Sequence, residues 1–300
     1  MNPLVNPHVY RPFLFTLLPM LLGAATLTVD HVTVAGTDLK KMQASLAAVG
    51  LPSEYGGPHS NHATEMAQTS FPDGSYLESI AIQPNADAKA VAAHYWSKWM
   101  QGNAGPCAWA VRSTDIGAEI QRLRTAGVTV NPAVRSGRDR PDGTRLDWEA
   151  APVGVEPNGT FFPFLIHDFT AREQRAFPTG KPITKDFGGL ARVVIAVHDL
   201  KASIARYQQA YGLPAPVQQV DATFGAHLAM FTGTPIVLAE PLNSQSWLTG
   251  RLQQFGEGPC AFILGGHSNG TYKTASKSRW FGVDVSWFDT AKLGWRLGFL

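Results

Sequence analysis

His31 stands inside "VDHVTVAGTDL", a run of β-branched residues that reads as a core strand. An imidazole there is either a hydrogen-bonded core residue or a ligand, since His is the commonest metal-binding side chain. A second ionisable group, Glu78, sits inside another apolar run, "SYLESIAI". A carboxylate is costly to bury without a cation or a hydrogen-bond partner. Strand alternation turns His31 away from Val32 and Val34, so the two valines face one side and the imidazole the other. Cys107 and Cys260 each follow Gly-Pro and open an apolar run. No His or Lys near them in sequence argues for a reactive thiolate. They read as buried thiols turned toward a helix layer, in preference to a disulfide or a nucleophile.

The elements that hold these residues recur along the chain. "GPCAWAV" from Gly105 and "GPCAFIL" from Gly258 are copies of one motif. "VDHVTVAGTDLKKMQASLAAVGL" aligns with "LARVVIAVHDLKASIARYQQAYGL", which runs from Leu190 to Leu213. In both, an apolar strand leads to an Asp suited to cap a helix, Asp38 or Asp199, and the helix stops at Gly50 or Gly212. The pattern strand, helix, then further strands occurs near 28–83, 105–168 and 188–242, and a shortened fourth copy starts at Gly258. An α+β chain of tandem βαβββ units follows, in two paired halves at 26–168 and 188–300. The charged, Pro-containing stretch 169–187 is the expected linker.

Composition narrows the partners. The chain has 300 residues, 44% hydrophobic and 16% charged, with a net charge of +2, which gives no footprint for nucleic acid. Residues 1–25 carry Arg11, an apolar stretch from Phe13 to Leu22 and then Gly23, Ala24 and Ala25. That is the pattern of a signal peptide, and it implies a secreted or periplasmic protein with no stable membrane span after its removal.

The stretches "VDHVTVAGTDL", "GGPHSNHATEMAQTSFPDGSYLESIAI" and "FFPFLIHD", set in tandem βαβββ units, resemble the glyoxalase-like domains of the vicinal oxygen chelate superfamily. That superfamily includes glyoxalase I, extradiol dioxygenases and bleomycin-resistance proteins. The resemblance implies that paired units curl into open barrels around a cleft. It also implies divalent-metal ligands on the first and last strand of each unit. Carried over here, these are His31 and Glu78, with Glu78 the expected catalytic group. The aligned positions of the second unit are Ala108 and Pro163, which cannot ligate through their side chains. His62, at the opening of the third strand and just after His59 in the turn, is available as a third ligand. A set of His31, His62 and Glu78 suits Zn, Fe, Mn or Ni.

In the second half Arg192 aligns with His31 and Glu240 with Glu78. That pair reads as an ion pair or as an anion-binding Arg held by a carboxylate. Arg296 falls near the position aligned with Pro163. Phe161, Phe162 and Phe164 alternate, and Phe162 is expected on the wall of a substrate cleft. The resemblance therefore implies a small-molecule ligand, no organic cofactor, and either of two functions. One is a metal-dependent lyase, isomerase or dioxygenase acting on a small oxygenated substrate. The other is non-catalytic sequestration of the bleomycin-resistance kind. A homodimer is the expected assembly. The first half is expected to be the active one, and the second a degenerate copy that packs or binds.

Overall fold

The computed structural model describes residues 27–266 and 272–300, so the expected signal segment 1–25 lies outside the described residues. The first half runs β1 (Val29–Ala35), α1 (Leu39–Ala48), β2 (Glu54–Pro58), β3 (Thr64–Ser70), β4 (Tyr76–Ile82), α2 (Ala88–Ala93), α3 (Ser97–Gln101), β5 (Gly105–Arg112), α4 (Ile116–Thr125), β6 (Val134–Asp139), β7 (Arg145–Ala151) and β8 (Phe164–Asp168). After α5 (Arg172–Ala176) the order recurs: β9 (Gly189–Ala196), α6 (Leu200–Tyr211), β10 (Val217–Asp221), β11 (Ala226–Met230), β12 (Ile236–Pro241), α7 (Trp247–Phe255), β13 (Gly258–Gly265), β14 (Thr274–Trp280), β15 (Val283–Phe288), α8 (Thr290–Leu293) and β16 (Arg296–Phe299).

Each half is one eight-stranded sheet, ordered β2-β3-β4-β1-β5-β8-β7-β6 and β10-β11-β12-β9-β13-β16-β15-β14. The first two units share the first sheet through antiparallel pairing of β1 with β5, and the last two share the second through β9 and β13. Both sheets curl until their edge strands meet, β2 beside β6 and β10 beside β14. This is the α+β fold of the vicinal oxygen chelate type. Among the described residues no helix is long and apolar enough to cross a membrane.

Local chemistry starts the helices where the sequence indicates. Asp38, Asp115 and Asp199 accept backbone N–H groups of Lys41, Ala118 and Ala202, supplying the acceptors that the first helical turn lacks. Gly212 ends α6 in the left-handed conformation. The stretch "DAKAVAAHYWSKWM", which reads as one linking helix, is interrupted. His94 is extended there and splits it into α2 and α3.

The convex faces of the two sheets and their helices share one core. Val32, Val34, Trp109 and Leu165 pack in the same cluster as Val193, Ile195, Phe262 and Leu264. Tyr207 on α6 donates its hydroxyl to the Phe161 carbonyl at 2.5 Å. A second tie is Arg251 on α7, whose guanidinium donates to the carbonyls of Ala104 (2.7 Å), Pro106 and Pro259 (2.5 Å). Arg251 thus clasps the start of β5 and the start of β13 together.

The repeated Gly-Pro-Cys-Ala motif has a structural meaning. Pairing along β1 and β5 skips Cys107, and pairing along β9 and β13 skips Cys260, so each Cys is the extra residue of a β-bulge. The bulge corrects the expected orientation. Cys107 belongs to the cluster of Trp96, Met100 of α3 and Phe164, and Cys260 to that of Leu248 and Leu252 of α7, so the linking helices cover them rather than α1, α4 and α6. Burial pushes the Cys107 thiol well up and the Cys260 thiol to about 12, so both stay protonated.

The stretch 169–187 is built into the first half. Gln68 donates to the carbonyls of Arg175 and Ala176, and the backbone N–H of Thr184 donates to the Ser70 carbonyl. Arg175 and Ala176 are buried.

Candidate functional site

The concave side of the first sheet encloses a cavity of about 380 Å³. Its floor is polar. His31 on β1, Glu78 on β4 and His59 in the turn before β3 meet there, with His31 Nε2 3.8 Å from Glu78 Oε2 and His59 Nε2 3.6 Å from Glu78 Oε1. Its walls include Met66, Ile80, Trp96, Trp148 and Phe164. Apolar walls with a few converging polar groups are the ordinary form of a small-molecule site.

Each polar group on the floor is oriented by a neighbour. The Thr33 hydroxyl donates to Glu78 Oε2 at 3.0 Å, and Thr33 lies directly across from Glu78 in the β1–β4 register. His59 Nδ1 bonds the Thr64 hydroxyl at 2.8 Å. His31 Nδ1 lies 2.6 Å from Asp30 Oδ1, and the imidazole stacks on Tyr76 with centroids 4.9 Å apart and planes 3° apart. A carboxylate on Nδ1 places a proton there and orients the ring so that Nε2 is turned to the cavity.

Adjacent strand residues normally face opposite sides, so Asp30 and His31 should not meet. They meet because the pairing of β1 with β5 is irregular between Val29 and His31, a second bulge that re-aims Asp30. Asp30 is fully buried and bonded to Arg172 (2.6 Å) and Arg175 (2.7 Å). Burial alone would raise its pKa, but the Arg175 and Arg172 charges and the His31 bond overcome this. The carboxyl is held well below the usual range. Arg175 also donates to the Tyr76 hydroxyl at 2.7 Å, so the strap at 169–187 fixes both groups that orient His31. Burial, only partly offset by Glu78, lowers the pKa of His59, and burial lowers that of His94 on the cavity rim to about 4. Both imidazoles are therefore neutral at physiological pH.

Two of the expected residues, His31 and Glu78, lie side by side on this floor. His62 does not join them. It is exposed, takes a left-handed backbone (φ 57°) in the turn before β3, and lies off the cavity lining. His59 occupies the place beside Glu78. Phe162 is also elsewhere. Residues 161–163 precede β8, and Phe162 is buried in the shared core against Tyr207 and Tyr211, while Phe164 reaches the cavity. Sequence reading missed Asp30, Tyr76, Arg138, Asn158 and Arg175. The "DH" pair was visible, but the bulge that joins its side chains depends on distant pairing.

The second half differs at each matching position. In the β9–β12 register Val194 lies across from Val237, as Thr33 lies across from Glu78, so Val237 and not Glu240 is the counterpart of Glu78. The skipped residue before Arg192 is Ala191, where the first half has Asp30. Arg192 donates to the Ala191 carbonyl, and Glu240 accepts the N–H of Leu200 at the start of α6 (3.2 Å). Among the described ion pairs they form none with each other. Glu240 lines an open groove with Gln218 and His227 beside α6. The concave side holds Phe224, Trp280 and Trp287, with ring centroids 5.0–5.4 Å apart. Arg296 lies over Trp247 at 4.5 Å.

The sequence matches the glyoxalase-like domain family over residues 29–211, from the start of β1 to the end of α6. The chain belongs to that family. Glyoxalase-like proteins of this kind are members of the vicinal oxygen chelate superfamily. Among solved structures, a hypothetical protein from Staphylococcus aureus is similar over 91% of this chain and 99% of its own, with 14% identity and a TM-score of 0.63, which is a likeness of fold. Methylmalonyl-CoA epimerase from Mycobacterium tuberculosis matches 39% of this chain and 89% of its own at 19% identity, with a TM-score of 0.34. No curated protein matches the sequence.

Proposed function

We propose that this glyoxalase-like protein binds a small organic molecule in the first-half cavity and that Glu78 and His31 move a proton on it. One observation carries the reading. Asp30 orients the His31 ring while Thr33 orients Glu78, so an imidazole nitrogen and a carboxylate face the same cavity. A positioned carboxylate and an imidazole are the ordinary agents of general acid–base chemistry. The test is a fragment screen by protein-detected NMR, following the His31 and His59 ring signals. The reading requires fragments that shift both rings in the wild type, and full hydrogen–deuterium exchange at an activated C–H of a bound carbonyl compound. Glu78→Gln is expected to keep binding and to slow the exchange about 10²- to 10⁴-fold. Binding with no exchange in either protein would favour the sequestering alternative.

A divalent metal is the second reading, favoured by the Asp30–His31 bond, since metal-ligating imidazoles ordinarily donate their other nitrogen to such a group. His31 and Glu78 would hold the ion, and it would polarise a ligand oxygen. Among the described residues, no group of three or more His, Cys, Asp and Glu side chains is gathered to hold one ion. Elemental analysis of protein purified without chelator decides it, with stoichiometric Zn, Fe, Mn or Ni lost in His31→Ala as the supporting result. Export is part of the same proposal, and amino-terminal sequencing of protein recovered outside the cytoplasm would locate a cleavage near Thr26.

A further inference from the structure

The cavity holds a cation that the Asp30 network does not use. Arg138 on β6 lines it and is 3% exposed. Its guanidinium donates to the Gly56 carbonyl and to Gln68 Oε1 (3.3 Å), both neutral. The described ion pairs give carboxylate partners to Arg112, Arg122, Arg140, Arg145, Arg172, Arg175, Arg206 and Arg279, but none to Arg138. Glu78 opposes its charge only from beyond ion-pair distance, and burial outweighs that and lowers the pKa of this guanidinium; a buried charge without a close partner costs several kcal/mol. Arg175 faces the same space but is neutralised by Asp30 and Asp168. The cavity therefore holds two arginines, one closely paired with carboxylates and one not.

A second lining residue is unsatisfied in the opposite sense. Asn158 is 8% exposed, lines the cavity, and its Oδ1 has no hydrogen-bond partner. Its backbone carbonyl is occupied by the Trp96 indole at 2.8 Å, which holds the residue in place. An orphaned acceptor in a buried site calls for a donor from the ligand. Trp148 and Phe164 offer flat apolar surface to the remainder of the molecule.

We infer that the ligand is a small organic acid with an apolar body and a hydroxyl, whose carboxylate pairs with Arg138 and whose hydroxyl donates to Asn158. This deepens the reading of the cavity as a small-molecule site and rests on it. An Arg–carboxylate pair in a desolvated site is strong and charge-specific, whereas an Arg that only ties β6 to β2 has no stake in the charge of a ligand.

The test uses the full-length protein and three probes: mandelate, its neutral amide, and phenylacetate, which lacks the hydroxyl. By isothermal titration, mandelate is expected to bind at least about tenfold tighter than mandelamide and severalfold tighter than phenylacetate. Arg138→Met should abolish the preference for acid over amide, and Arg138→Lys should keep part of it. Asn158→Leu should abolish the preference for mandelate over phenylacetate and leave the acid–amide ratio alone. If Arg138→Met does not fold, the acid–amide ratio of the wild type and of Arg138→Lys still decides. Equal binding of acid and amide to the wild type, with both shifting the His31 ring signal, overturns the inference and leaves the cavity reading standing. Absence of binding by all three probes up to about 10 mM overturns both.

Discussion

The two halves are the same sheet with opposite interiors. In the first, β1 and β4 bring Thr33 and Glu78 face to face over an open cavity, and a bulge adds Asp30 behind His31. In the second, the same register brings Val194 to Val237, the bulge carries Ala191, and three aromatic rings occupy the concave side. The comparison teaches that the curled sheet needs something inside it. Large side chains make it a core, and leaving them out makes it a site that must then stabilise its own polar groups. The first half does this with a chain of neighbours running Thr33, Glu78, His31, Asp30, Arg175.

The largest effect should come from exchanging the paired strand positions. Val237→Glu would bury a carboxylate with neither a Thr33-like donor nor a His beside it, and should cost about 5 kcal/mol or prevent folding. Glu78→Val should instead hold stability within about 1 kcal/mol or raise it, while ending proton exchange in the ligand. Chemical denaturation of both variants checks the register. Equal losses from the two would break the claim that Val237 is the counterpart of Glu78.

Arg175→Met comes next. It leaves Asp30 buried beside Arg172 and the more distant Arg112 (3.9 Å), and a loss of about 4 kcal/mol is expected at neutral pH. Because the Asp30 pKa is depressed in the fold, its contribution is present above 3.8 and is lost as pH falls below that value. The stability gap between wild type and variant should therefore narrow in acid, which denaturation at several pH values would show. Trp287→Ala in the second half should cost about 3–4 kcal/mol by opening a void, with ligand affinity in the first half unchanged. Changed affinity would show that the halves are coupled.

A smaller effect is confined to the first half. His94 has its pKa lowered from 6.5 to about 4. The unfolded chain takes up that proton more readily, so stability should decline by roughly 1–3 kcal/mol as pH drops from 6.5 toward 4. His94→Gln should flatten that slope. The smallest is His62→Ala, expected within about 0.5 kcal/mol in stability and without effect on ligand binding, since the residue is exposed and off the cavity.

The legible parts were those written in local pattern. The repeat, the capping aspartates, the pairing of units and the strand bearing His31 all follow from periodicity and from Gly and Asp at fixed offsets. The edge strands β2, β6 and β10 are not legible, because Gly56 and Gly57 in β2, Ser136 in β6 and Gln218 in β10 leave no apolar alternation. Arg138 was hidden with them, since β6 curls back over the cavity only once the sheet closes. Asp30 was hidden by its bulge. The sequence points to His62 rather than His59 because the strand pattern reads back to it, whereas β3 begins two residues later at Thr64 and a turn holds His62 at positive φ. Residue type aligns Glu240 with Glu78, while pairing across strands aligns backbone positions and puts Val237 there.

The clasp formed by Arg251 has a consequence for how the chain comes apart. One guanidinium holds the first residues of β5 and of β13, and so the central strand of each sheet, by carbonyls of both halves. Neither half can loosen at that point without orphaning a buried charge that the other half also holds. The duplicated halves are expected to melt as one calorimetric unit, with van't Hoff and calorimetric enthalpies equal, and Arg251→Met should split that single transition into two.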